Sequence, residues 1–264
     1  MANSLTRRGG FIVVALQSLV DYCDRLLDVG QFRDYCPNGL QVEGRAEVAR
    51  VVSGVTASQA MIDAAIEHGA DLLLVHHGYF WKGEDPTLTG IKRRRVRTLL
   101  AQDISLLAYH LPLDAHPELG NNARLAARLG WLTEGCFGTG DGLELACYGR
   151  PQKPLAVQEM AANLAAGLDR APLLVGNGPA TIETLGWCTG AAQSYLEAAA
   201  RRGLDAFVSG EISEPSVHLA REYGIHYFAA GHHATERYGV QALGAHLAAH
   251  FGIQHIFVDI DNPV

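Results

Sequence analysis

At 264 residues the chain is long for one simple domain and short for two independent ones, which favours two lobes sharing an interface. Hydrophobic residues at 48% and charged residues at 19% describe an ordinary globular protein and exclude the disordered and fibrous classes. With 21 basic against 28 acidic residues the net charge is -7, which counts against a surface that binds nucleic acid throughout, though not against a local basic patch.

Five scattered cysteines (Cys23, Cys36, Cys136, Cys147, Cys188) contain no CxxC pair and read as reduced thiols, so a cytoplasmic location is expected. The N-terminal apolar run Phe11 to Leu16 is too short for a signal sequence, and no run approaches a membrane span. It leads into an amphipathic helical pattern at Leu19, Val20, Cys23, Leu26 and Leu27. Pro37-Asn38-Gly39 then supplies turn chemistry. Val51 to Val55 reads as a buried strand, Ala57 to His68 as a helix closed by Gly69, and Asp71 to Val75 as a second strand. This βαβ pattern predicts a mainly parallel sheet. His76-His77-Gly78 falls at its carboxyl end, where open α/β sheets place ligands. Adjacent strand residues point to opposite faces, so both histidines bind only if the chain bends or two ions straddle them.

The run Lys92 to Arg97 fits a solvated helix face or, on another reading, a phosphate contact. Ile104 to His110 is a further strand, emptying into a proline-braced loop, Leu111 to Pro117, that carries Asp114 and His116. Asn121 and Asn122 open the next helix, for which a capping role suffices. Gly135 to Gly142 and Pro151 to Pro154 read as loops. They suggest a first α/β lobe over 1–130 with 225–264, carrying the metal ligands, and a second over 131–224.

A shift of 134 residues pairs Ala57, Gln59, Ala64, Ala65, Gly69 and Asp71 with Ala191, Gln193, Ala198, Ala199, Gly203 and Asp205. Both copies run helix, glycine, strand, and both place polar groups at strand ends: His76-His77 in one, Gly210-Glu211 in the other. The strand Gly224 to Ala230 ends in Gly231-His232, the start of a last helix with an apolar stripe at Val240, Leu243, Leu247 and Phe251. His232 and Glu236 stand four apart on that helix and face the protein body. An ordinary capped helix start accounts for them as well as a cation does.

His76, His77, Asp114, His232 and Glu236 together give three imidazoles and two carboxylates, more than one tetrahedral site uses, which favours two divalent ions per chain. Mixed nitrogen and oxygen donors suit iron or zinc, with manganese or nickel next, over calcium or magnesium alone.

The strings Asn38 to Gly44, Val75-His76-His77-Gly78, Tyr109 to Asp114, Ser209-Gly210-Glu211 and Gly231 to Arg237 resemble those of the GTP cyclohydrolase 1 type 2 homologues, the NIF-three-like dinuclear metal proteins, in their short form. The resemblance spans nearly the whole chain. It implies an α/β fold of two intertwined α/β repeats, three-layered with mixed sheets and the metal site between them, assembled as a homohexameric ring. It also implies that His76 and Asp114 hold one ion, His77 and His232 the other, and that Glu236 bridges them, with Glu211, His110 and His233 behind them or facing substrate. The function so expected is metal-dependent hydrolysis of a nucleotide-like substrate, with Glu211 or His110 moving the proton. The alternatives are a metal storage or delivery protein without turnover, and a ring that binds nucleic acid through Arg93 to Arg97, against which the acidic net charge counts.

Overall fold

The computed structural model describes residues 6–8, 11–139 and 144–264. The chain forms two compact units, Met1–Leu113 with Gly239–Ile260 and Asp114–Tyr238 with Asp261–Val264. The turn signals of the sequence suggest crossings near 130 and 224. The crossings between these units, at 113/114 and 238/239, fall inside the helices Leu111–Ala115 and His232–Phe251.

The first unit is built on a five-stranded sheet ordered Gln254–Phe257, Arg50–Thr56, Leu72–His77, Ser105–Ala108, Gly39–Val42. The first four strands are parallel and the last antiparallel. Leu73, Val75 and Leu106 of the sheet pack with Ile62 and Leu99 of the helices Gln59–Glu67 and Gly90–Ala101. The central strands read as unbroken apolar runs because they are buried on both faces. The basic run lies on the helix Gly90–Ala101, which buries Val96 and Leu99 and exposes Arg93, Arg94 and Arg97.

The second unit carries a six-stranded sheet ordered Leu173–Gly176, His226–Ala229, Ala206–Ser209, Leu185–Cys188, Ala146–Pro151, Trp131–Phe137. Its core gathers Leu164, Trp131, Trp187, Val208 and Phe228. The three strands Leu185–Cys188, Ala206–Ser209 and His226–Ala229 are parallel, and an antiparallel strand from earlier in the chain, Leu173–Gly176, borders the last of them. The first unit repeats this connectivity with Arg50–Thr56, Leu72–His77, Ser105–Ala108 and Gly39–Val42. The sheets are mixed.

The residues matched by the internal repeat do the same work in both copies. Gly69 and Gly203 sit at φ +63° and +75° just past their helices, a left-handed conformation that glycine adopts without a Cβ penalty. Asp71 then accepts the amides of Ala49 and Arg50 at 2.7 and 3.0 Å. Asp205 likewise accepts those of Glu183 and Thr184 at 2.9 and 2.8 Å. Each carboxylate thereby anchors the start of the neighbouring parallel strand.

Three local expectations are corrected. Leu111 to Ala115 is a single helical turn rather than a loop, because proline is tolerated in a first turn, where the amide it lacks has no intrahelical partner. Trp131–Phe137 is a bulged strand covering the start of the segment read as a loop at Gly135, while Gly140 to Gly142 of that segment lie outside the described residues. Gly120, not an asparagine, caps the helix Asn121–Leu129, and both asparagine side chains are buried and bonded elsewhere. Among the described residues no helix is long and apolar enough to cross a membrane.

Candidate metal centre

In the first unit the strand Leu72–His77 runs through both histidines. Strict alternation would send their rings apart, yet the centroids lie 4.6 Å from one another, and that of His110 lies 5.1 and 5.8 Å from them. One ring nitrogen of each of the three falls within 4.8 Å of the others. His76 is fully buried, with Nδ1 2.8 Å from the carbonyl oxygen of Tyr109. A carbonyl only accepts, so Nδ1 carries the proton and the lone pair resides on Nε2. His77 sets Nδ1 against Thr56 Oγ1 at 3.1 Å.

His110 is held by a residue the sequence reading passed over. Its Nδ1 lies 2.7 Å from Asp34 Oδ1, and the amide of Leu111 donates to Asp34 Oδ2 at 2.9 Å. Asn38, from the Pro-Asn-Gly turn, donates to Asp34 at 2.8 Å and accepts the His110 amide at 2.7 Å. Burial alone would raise the Asp34 pKa, but the hydrogen bond and charge of His110, with the Asn38 and Leu111 donors, hold it below the ordinary carboxylate value. Asp34 and Asn38 stand four apart around a turn, the only local sign of the arrangement. Cys36 joins Asp34 and His110 within ligand range, but burial and then the charge of Asp34 push its thiol up to about 12, which disfavours the thiolate a metal needs.

In the second unit Gly231, at φ +98°, turns the chain into the helix His232–Phe251. The four-residue spacing sets His232 Nε2 3.0 Å from Glu236 Oε2. The other ring nitrogen, Nδ1, lies 2.7 Å from Glu211 Oε1. Burial would lower the His232 pKa, but Glu236 and then Glu211 overrule it and drive it up to about 9. Asp114 is buried, and its Oδ1 accepts from Asn121 Nδ2 at 2.8 Å and from Thr189 Oγ1 at 3.3 Å. Oxygens of Asp114 and Glu236 lie within 4.8 Å of one another, and two buried carboxylates that close repel unless positive charge stands with them. Gly190 is required beside them, since a Cβ there would run into the Glu236 carboxylate. The buried His233 donates its amide to the Val264 carbonyl at 2.9 Å, and His116 Nδ1 accepts the Leu119 amide at 3.0 Å.

The donor set fits divalent cations. All three histidines of the expected ligand set commit Nδ1 to a carbonyl, a hydroxyl or a carboxylate, the arrangement by which metal-binding imidazoles are oriented through their second nitrogen. Fold and side chains thus define a mixed α/β protein whose strand and helix ends carry His, Asp and Glu clusters able to hold a metal ion. The chain belongs to the Duf34/NIF3 (NGG1p interacting factor 3) family, whose model matches residues 14–263. It is 55% identical over 252 residues to a Pseudomonas aeruginosa protein called GTP cyclohydrolase 1 type 2 homolog, covering 96% of this chain and 100% of that one. Among solved structures, protein ybgI, of unknown function, superimposes with a TM-score of 0.92 at 48% identity, over 95% of this chain and 100% of that one. TTHA1606 from Thermus thermophilus follows at 0.86 and 36%, with the same coverage.

Proposed function

We propose that the protein is a dinuclear metal protein that hydrolyses a nucleotide-like substrate. In this reading His76 and Asp114 would hold one divalent ion, His77 and His232 the other, and Glu236 would serve both, with iron or zinc as the first candidates and manganese or nickel next. The observation that carries it is the orientation of the three imidazoles, each holding Nδ1 against a carbonyl, hydroxyl or carboxylate, which supports Nε2 in the ligand role. When bound, two such ions draw the pKa of water from ~15.7 toward ~7 and polarise the bond under attack.

The chain's own groups do the rest. Asn121 and Thr189 fix the Asp114 carboxylate, and Glu211 fixes His232. In this reading His110, oriented by Asp34, or Glu211 accepts or returns a proton. In a cyclohydrolase-type reaction the water adds at C8 of a purine ring; in a phosphoesterase it adds at phosphorus. The family resemblance further supports a homohexameric ring, and the reduced thiols a cytoplasmic location.

Elemental analysis of protein purified without chelators tests the centre. About two ions per chain in the wild type, with a clear loss in Glu236→Ala, is the expected result. Absence of metal from both would return the histidines to structural roles. Turnover of nucleotides or phosphoesters is then screened in the metal-loaded wild type and in His110→Gln. Two retained ions with no turnover of any of them would replace the hydrolase with a storage or delivery protein.

A further inference from the structure

We propose that Cys136 and Cys147 form an oxidisable dithiol, a modification site that a hydroperoxide converts reversibly into a cross-strand disulfide. The two residues are direct partners on the antiparallel strands Trp131–Phe137 and Ala146–Pro151. Opposed Cα atoms in such a ladder are about 4.5 to 5.5 Å apart, inside the range a disulfide spans. The sulfurs already touch, with Sγ 3.1 Å from Sγ. Trp131–Phe137 is the edge strand of its sheet, so Cys136 is exposed while Cys147 is buried behind it. A bulge between Thr133 and Gly135 immediately precedes the pair. Bulges tighten the local twist and re-aim the side chains beside them.

The chemistry separates this pair from the other thiols. Hydrogen bonding from Cys147 draws Cys136 down to about 7, against burial and the nearby Glu144, which favours the thiolate at the accessible member of the pair. Burial pushes Cys23 and Cys36 up to about 12 and holds Cys188 protonated deep in the second unit. Cys147 is held protonated chiefly by its hydrogen bond to Cys136, a hold that ends when Cys136 is oxidised.

The Cys136 thiolate attacks one peroxide oxygen and the O–O bond breaks. This gives a sulfenic acid on Cys136 and a hydroxide that leaves as water after taking a proton. The Cys147 sulfur, losing its proton, attacks the Cys136 sulfur and expels the hydroxyl group as a second water. Two thiols are thus oxidised by two electrons, and one peroxide is reduced to two waters. An external dithiol reverses the bond by exchange.

The test uses the full folded chain and hydrogen peroxide, followed by unfolding, alkylation and mass spectrometry. The expected result is three alkylated cysteines in place of five, with a peptide joining Cys136 to Cys147 that a dithiol reductant removes. Cys188→Ser should form the same link, Cys136→Ser should lose no thiol to a link, and Cys147→Ser should leave a sulfenic acid on Cys136 that a cyclic dione traps. Five alkylated cysteines after peroxide, a link to another cysteine, or direct passage of wild-type Cys136 to the sulfinic acid would each overturn the proposal. The wild-type result depends on no variant, and it stands or falls apart from the metal reading.

Discussion

Replacing Asn122 by alanine separates two accounts of the same residue. A capping residue lost from a helix start costs typically ~1 kcal/mol. The structure gives Asn122 other work: Nδ2 donates to the Leu145 carbonyl at 3.0 Å and to the Asp114 carbonyl at 3.3 Å, and Oδ1 accepts the Thr189 amide at 3.0 Å. The residue is 2% exposed, so water does not take over these partners. Two well-formed bonds are lost with their partners left buried, at ~1–3 kcal/mol each; with the void left by the amide, the sum is about 3 to 5 kcal/mol. Equilibrium urea unfolding of metal-free protein, followed by tryptophan fluorescence, measures it. Trp187 is a well-placed reporter, since its Nε1 donates to the Asn122 carbonyl at 3.1 Å and its ring lies 5.2 Å from that of Trp131. A loss near 1 kcal/mol or less would refute the buried-network account and restore the capping one.

Asn121→Ala acts on Asp114 instead: losing the 2.8 Å donor should weaken metal binding ~10–100-fold in competition with a chromophoric chelator, and unchanged affinity would remove Asn121 from the site. Asp34→Asn tests the His110 pair. The Asp34 carboxyl titrates below its ordinary 3.8, so its contribution to stability is present above that pH and drains as pH falls through the lower folded value. Thermal melts from about pH 6 to about pH 3 should show the wild-type advantage over Asp34→Asn shrinking toward the acid end, and a constant gap would contradict the pairing. Asp71→Ala orphans two strand amides and should cost about 2 to 4 kcal/mol in urea unfolding. The matching Asp205→Ala should cost less, because Asp205 is only partly buried, and the reverse order would undo the parallel drawn between the copies.

Much of the fold was legible because it is written in local periodicity. Apolar runs without alternation marked strands covered on both faces, and the glycine and aspartate repeated at Gly69-Asp71 and Gly203-Asp205 marked two copies of one connectivity. The spacing of His232 and Glu236 needed only the pitch of a helix. The adjacent His76 and His77 were legible as candidates but not as neighbours, since strand alternation separates rings that the structure holds 4.6 Å apart.

The sequence by itself determined the fold class, the candidate histidines and carboxylates, and an odd set of five cysteines without a CxxC pair. It did so because hydrophobic period, turn chemistry and donor type are properties of neighbouring residues. The tertiary structure alone decided what holds those donors. Asp34 meets His110 across 76 positions, Thr189 meets Asp114 across 75, and Cys147 stands opposite Cys136 only through the register of a bulged ladder. Such pairings depend on how strands align and where helices dock, which no spacing along the chain records. Asn121 and Asn122 are the plainest case: adjacent in sequence and alike in propensity, one orients a carboxylate while the other ties together backbone separated by dozens of residues.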